Sequence, residues 1–226
     1  MGILLALRIN SATGPDNIPA RFLKECAKQL LLPFRILCSR TLDEGAWPAV
    51  WRVHRICPMH KKGSGFDPDN YRGLHITSHI SKVVERMLKL MLAPILHRPI
   101  IAGENQFAYL RQRGARDALA YIVLTILHGF ASKRKFGILK TDVSSAFDRV
   151  STTRFLAKLQ SYGVPENVLR FIRSWLDART AYVELGSIRS LDFVLRDQVF
   201  QGSVLGPLLW NAFFADSIDA GLQLSA

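Results

Sequence analysis

From Ser78 onward, apolar residues fall at Ile80, Val83, Val84, Met87, Leu88, Met91, Leu92 and Ile95, the three- and four-residue spacing of one helix face. Ser78 supplies the N-cap hydroxyl that such a helix needs, and this is the firmest element the pattern predicts. Before it, a loop over 11–19 leads to a helix through Phe22, Leu23, Cys26, Leu30 and Leu31. Pro19 is placed to start that helix, and Pro33 to interrupt or restart it before Phe34, Ile36, Leu37 and Leu42. Alternation over 52–58 reads as a strand, and 63–69 as a turn-rich loop. Helices are expected over about 115–130 and 152–162, and from Pro165 through Trp175. Between the first two, the apolar run 136–142 is rich in β-formers and predicts a strand ending at Asp142. The alternating segments 182–186 and 191–199 read as a hairpin leading into Gln201 and Gly202. Helices mixed with short, partly antiparallel strands make the fold class α+β.

Composition changes this picture in one respect. At 226 residues, with 49% apolar and 21% charged residues, the chain has the make-up of a folded protein with an ample core. Its net charge of +12 is unevenly placed. Residues 1–135 hold 21 Lys and Arg against 9 Asp and Glu, whereas 136–226 hold 9 of each. A basic region ahead of a neutral, acid-bearing one suits a protein that grips a phosphate backbone with one part and does metal chemistry with the other. Cys26, Cys38 and Cys57 are too irregularly spaced for a disulfide framework. The apolar start at residues 1–7 is short and lacks a basic leader, and Ala6 stands where a myristoylation signal needs Ser or Thr. No apolar run approaches the roughly 18–20 residues of a membrane span. The expectation is an intracellular protein, nuclear or cytoplasmic, neither secreted nor in a membrane.

Two stretches carry chemistry. The first runs from Ile138 through Lys140, Asp142, Val143, Phe147 and Asp148 to Val150. A strand end holds a carboxylate rigidly, and a nearby aromatic can police the shape of a bound sugar. Taken alone, an Asp followed by Phe-Asp equally fits a helix cap with a surface acid. The second is Gln201-Gly202-Ser203-Val204-Leu205-Gly206-Pro207, where glycine permits close approach of backbone to ligand and Pro207 suits the first turn of an apolar helix. Upstream lie Trp51, Pro58, Lys61-Lys62-Gly63 and Asn70-Tyr71-Arg72. Gly14-Pro15-Asp16 with Ile18-Pro19, and Asn105-Gln106-Phe107 with Arg113 and Asp117, complete the series.

Together, in this order and over about residues 12–215, these segments resemble the reverse transcriptase domain of non-LTR (LINE-type) retrotransposons. The two stretches resemble palm motifs A and B, the segments 51–63 and 70–72 resemble fingers motifs 1 and 2, 14–19 resembles the family's opening motif, and 105–117 resembles its Gln-Phe-Gly-Phe segment. The resemblance implies a right-hand polymerase with fingers over 1–135 and a partial palm over 136–226. It implies RNA-directed DNA polymerase activity: an RNA template, a DNA primer, deoxynucleoside triphosphates and a pair of Mg2+ ions. Asp142 becomes the catalytic, metal-bridging carboxylate and the Val143 carbonyl a second metal ligand. Lys61 or Lys62 and Arg72 would clamp the triphosphate, as point charge and planar fork. Phe147 would exclude a sugar 2′-hydroxyl, Gln201 and Gly202 would back the templating base and incoming nucleotide, and Asp148 would support the local turn. Gly73 stands where the family has Pro and should loosen the loop.

The family's motif C, an aromatic-x-Asp-Asp, should follow the motif B helix, and it is missing here, as is a thumb. Phe214-Ala215-Asp216-Ser217 imitates it but comes too soon, so Asp216 and Asp219 are read as polar residues near a helix end. With one carboxylate the ion pair is underligated, and this chain alone should polymerise little or not at all. Three other readings stay open: a non-catalytic nucleic-acid-binding remnant, an RNA-dependent RNA polymerase, and a mobile-intron reverse transcriptase. Phe147 argues against the second and the 201–207 stretch against the third. His54, Cys57 and His60 have a metal-like spacing, but every-third positions of a strand do not share a face, Pro58 intrudes, and zinc is set aside. His75 and His79 are expected to be ordinary cap or surface residues, and Trp47, Trp51, Trp175 and Trp210 to be core.

Overall fold

The computed structural model describes residues 1–223 apart from Glu104, Leu139, Ser144 and Ser145, with 218–223 described as backbone only. The elements run α1 (Gly2–Leu5), α2 (Ala20–Glu25), α3 (Ala27–Asp43), β1 (Val53–His60), β2 (Tyr71–Ile76), α4 (His79–Leu96), α5 (Pro99–Ala102) and α6 (Ala115–Ala131). They continue with α7 (Thr152–Ser161), α8 (Glu166–Leu176), β3 (Arg179–Leu185), β4 (Ile188–Arg189), β5 (Phe193–Leu195) and α9 (Gly206–Gln223). The mixture is α/β in the coarse sense, with one sheet and surrounding helices.

Helix α4 forms as its periodicity dictates. The Ser78 hydroxyl accepts from the N–H groups of Ile80 and Ser81 at 3.1 and 3.4 Å and donates to Asp16 Oδ2 at 2.5 Å. Gly14 lies so close that a Cβ there would sit 2.6 Å from Ser78 Cα, so the opening loop is fastened onto the helix start. Val83, Val84, Leu88, Leu92 and Leu96 are buried along one face. They share a single apolar cluster with Phe155 and Leu159 of α7, with Phe171, Ile172 and Trp175 of α8, and with Leu205, Leu208 and Leu209 at the start of α9. Each such side chain contributes about 1.5–3 kcal/mol by leaving water. The core thus joins the basic first part to the neutral second part.

The sheet does the same. Its order is β2-β1-β3-β4, with β5 also on β3. Strands β1 and β2 pair antiparallel from Arg55 opposite Ile76 to His60 opposite Tyr71. Strand β3 pairs parallel with β1, from Val53 opposite Thr180 to Ile56 opposite Val183, and antiparallel with β5. The hairpin read over 182–199 is present as β3 with β4 and β5.

Four expectations change. Helix α3 runs through Pro33, and the break falls at Cys26 instead; buried Ala27, Phe34, Cys38 and Thr41 hold the helix on both sides of the lost N–H. The 136–143 segment contains no strand among its described residues. A strand needs a ladder partner, none of the five strands pairs with this segment, and Phe136, Ile138 and Val143 lie exposed. Gly73, expected to loosen a loop, is inside β2 opposite Pro58, where a Cβ would come 3.0 Å from Ile56 Cγ2. His75 and His79 are not surface groups: His75 lies within β2, and His79 is buried at the first position of α4. Among the described residues no helix is long and apolar enough to cross a membrane.

Candidate functional site

The β1–β2 hairpin gathers three cations at one end. The Lys61 N–H donates to the Asn70 carbonyl at 2.8 Å, extending the ladder one step beyond His60 and Tyr71. Lys61 and Lys62 follow β1, Arg72 is the second residue of β2, and all three side chains are exposed. The connecting loop is held from within. Asp67 accepts from the Asp69 N–H at 3.0 Å, the Asn70 amide donates to the Ser64 carbonyl at 3.0 Å, and the Tyr71 hydroxyl donates to the Gly65 carbonyl at 2.9 Å.

The Asp142 segment reaches the glycine turn through Phe147. A 3-10 turn over Ala146–Arg149 presents the Phe147 ring to Trp210 of α9, stacked at 5.3 Å and 19°. The Phe147 carbonyl accepts the Val199 N–H at 2.8 Å. Asp142 and Val143 lie exposed in irregular chain ahead of that turn, Asp148 is exposed with its carboxyl pushed up by partial burial, and Ser144 and Ser145 lie outside the described residues. Asp142 is therefore not at the end of a strand. Among the described residues no three His, Cys, Asp or Glu side chains gather as a metal site. A single carboxylate does not hold a pair of divalent ions, and no metal-dependent step follows from these residues.

Gln201 is half-buried, and Gly202 takes φ +86°, where a Cβ would sit 3.0 Å from the His75 carbonyl oxygen. That close approach requires glycine. Ser203 Oγ donates to the Phe200 carbonyl at 2.6 Å and accepts from the Gly206 N–H at 3.1 Å, closing the turn at the start of α9. Phe214-Ala215-Asp216 stays on α9, where Asp216 pairs with Lys158 at 2.5 Å.

Beneath the turn lies a buried polar network that the sequence reading missed. Glu85 of α4 is 1% exposed, and its Oε2 accepts the N–H groups of Val204 and Leu205 at 2.6 and 3.0 Å. Burial pushes its carboxyl up, while Arg179 and those two amides favour the charged form. Arg179, the first residue of β3, is 3% exposed and donates to the Trp175 carbonyl at 2.6 Å and to His54 Nε2 at 3.1 Å. Its guanidinium lies 4.0 Å over the Phe200 ring, and burial lowers it to about 9. A guanidinium only donates, so His54 Nε2 is the acceptor and the His54 proton sits on Nδ1. That N–H points at His75 Nδ1, 2.9 Å away. Both histidines are held neutral, His54 at about 2 and His75 at about 4, first by burial and then by the Arg179 charge. One signal for the network was available: Glu85 falls in line with Leu88 and Leu92 on the apolar face of α4, where an acid is out of place.

The Asn105-Gln106-Phe107 segment packs on the same helix α9. Gln106 is buried, with its amide 3.5 Å from the Asn211 carbonyl, and the Asn211 amide donates to the Ala108 carbonyl at 2.7 Å.

Comparison with known proteins identifies the family. Residues 59–223 match the model of the reverse transcriptase (RNA-dependent DNA polymerase) family. Over 212 residues the chain is 28% identical to a probable RNA-directed DNA polymerase from transposon BS of Drosophila melanogaster, covering 93% of this chain and 23% of that protein. It is 27% identical over 215 residues to the RNA-directed DNA polymerase from mobile element jockey of the same fly, covering 95% and 23%. It is also 27% identical over 203 residues to a Pol polyprotein from the type-2 retrotransposable element R2DM, covering 90% and 18%. The chain thus spans about a quarter or less of the relatives' length. It belongs to the reverse transcriptase (RNA-dependent DNA polymerase) family.

Proposed function

We propose that this chain forms the fingers and part of the palm of an RNA-directed DNA polymerase and carries its incoming-nucleotide subsite. Residues 1–135 act as fingers and 136–226 as palm, built over a common core. Lys61, Lys62 and Arg72 bind the triphosphate, Arg72 as a two-pronged donor and the lysines as point charges. Phe147 borders the sugar, and Gln201 and Gly202 back the base pair between template and incoming nucleotide. Asp148 supports the turn that carries Phe147. Asp142 and the Val143 carbonyl would be two of the ligands to Mg2+, whose chemistry there would be to offset the charge of the triphosphate, the further carboxylates coming from outside these residues. The partners are an RNA template, a DNA primer and deoxynucleoside triphosphates.

The observation that carries this reading is the meeting of two distant motifs at Phe147, which bonds Val199 beside the glycine turn and stacks on Trp210 behind it. The glycine turn is pressed against His75 of β2, the strand that also carries Arg72. The test is photo-crosslinking of a reactive deoxynucleoside triphosphate to the 226-residue chain on an RNA template–DNA primer duplex. Adducts are expected on peptides bearing Arg72, Phe147 or Gln201, and adducts confined to other peptides contradict the assignment.

A second reading, a nucleic-acid-binding remnant without catalysis, is favoured by the charge excess of residues 1–135. It requires salt-dependent RNA binding that persists in Asp142→Ala, with no uptake of nucleotide.

A further inference from the structure

We infer that Glu85 is a positioning residue for the nucleotide subsite: one buried carboxylate oxygen sets the backbone that presents Gln201 and Gly202, without touching nucleotide itself. This rests on the assignment of Gln201 and Gly202 to that subsite.

The argument starts from what is unusual. Glu85 sits on the apolar face of α4, 1% exposed, where a leucine would serve packing better. Removing a carboxylate from water is unfavourable unless it is paired and hydrogen-bonded. Here the hydrogen bonds come from the functional segment. The N–H groups of Val204 and Leu205 converge on the same oxygen at 2.6 and 3.0 Å. They stand immediately before α9, where backbone donors lack intrahelical partners.

The carboxylate does not stand alone. Charged groups acting on it are Arg179, from β3, and Lys82, one turn earlier on α4. Arg179 closes a circuit through the fingers side of the sheet. It donates to His54 of β1, His54 meets His75 of β2, and the His75 carbonyl abuts Gly202. The glycine turn is therefore gripped from two directions, by Glu85 on its far end and by β2 on its near end. Strand β2 also carries Arg72, so displacement of the turn alters its register with the phosphate-binding end of the hairpin.

Two roles for Glu85 make opposite predictions. If it merely neutralises Arg179, charge matters and reach does not. If it positions the turn, reach matters more than charge. Glu85→Gln keeps an oxygen at the right distance and loses the charge. Glu85→Asp keeps the charge and withdraws the oxygen by one methylene.

The experiment measures amide hydrogen exchange at Val204 and Leu205 in the 226-residue chain, relative to core amides such as Leu88. In parallel, dTTP affinity is measured on an RNA template–DNA primer duplex, together with affinity for the duplex alone. Glu85→Asp should raise exchange at those two amides at least tenfold and weaken dTTP binding about tenfold, with duplex affinity unchanged. Glu85→Gln should restore protection and most of the nucleotide affinity. The inference is overturned if Asp outperforms Gln, or if exchange at Val204 and Leu205 rises only in step with Leu88. Wild-type protein that binds duplex but no dTTP overturns the subsite assignment instead, and the two amides then decide the anchoring role by themselves.

Discussion

The ring of Phe147 lies nearly flat on that of Trp210, 5.3 Å between centroids and 19° from parallel. The contact joins the segment that carries Asp142 to the helix that follows the glycine turn, so the two motifs are held together by packing as well as by the Phe147–Val199 backbone bond. Stacked aromatic pairs contribute about 0.5–1.5 kcal/mol beyond the area they bury. A double-mutant cycle of Phe147→Leu and Trp210→Leu in urea unfolding should return a coupling energy in that range. Strict additivity would mean the stack holds nothing together.

Gly202 combines φ +86° with a Cβ position 3.0 Å from the His75 oxygen. Gly202→Ala should cost about 1–2 kcal/mol, lowering the melting temperature by roughly 2–8 °C for a domain of this size. Gly137 has nothing within 4 Å of its Cβ position and no positive φ, so Gly137→Ala serves as the neutral control.

The buried histidines make stability depend on pH. In the folded protein His54 and His75 titrate at about 2 and about 4, against 6.5 for a free side chain. Below about pH 6.5 the unfolded chain takes up protons that the native state refuses, so their contribution is full above 6.5 and is lost as pH falls. Each histidine contributes a slope of about 1.4 kcal/mol per pH unit in that window, and the pair should remove about 2–4 kcal/mol between pH 7 and 5. Glu85, raised by burial, works in the opposite sense. The difference between wild type and His75→Leu is therefore the clean readout, and the variant's slope should be shallower between pH 6.5 and 4.

Lys61, Lys62 and Arg72 are exposed, so their loss should leave the melting temperature unchanged. Replacing all three by Gln should abolish most triphosphate binding. If the hairpin also touches template, the slope of log affinity for single-stranded RNA against log salt should fall by about 0.7 for each lost phosphate contact. Isothermal titration at several salt concentrations measures both.

Much of the frame was legible because local pattern and tertiary packing agree. The periodicity of 80–95, the Ser78 cap and the alternation of 52–58 each specify the element they form. The apolar run 136–142 has strand composition, yet composition does not supply a ladder partner, and among the described residues none pairs with it. The pairing of β1 with β3 joins segments far apart in the chain and has no local signature. The buried network escaped for the same reason. His54 looked like one member of a local His-Cys-His spacing, but its partners are His75 across the hairpin and Arg179 from the other half of the chain. Motif residues were visible as residue types at set distances. The side chains that hold them in place were not, since Glu85 reads as an ordinary helical acid until Val204 and Leu205 are seen to converge on it.

The most direct measurement is the relative affinity of dTTP and UTP for the 226-residue chain loaded with a poly(rA)–oligo(dT) duplex, in wild type and in Phe147→Ala. A subsite bordered by Phe147 should favour dTTP at least tenfold, and the variant should bind both nucleotides about equally. Equal binding by the wild type, or a preference unmoved by Phe147→Ala, would contradict the placement of the nucleotide at the Phe147–Gly202 junction.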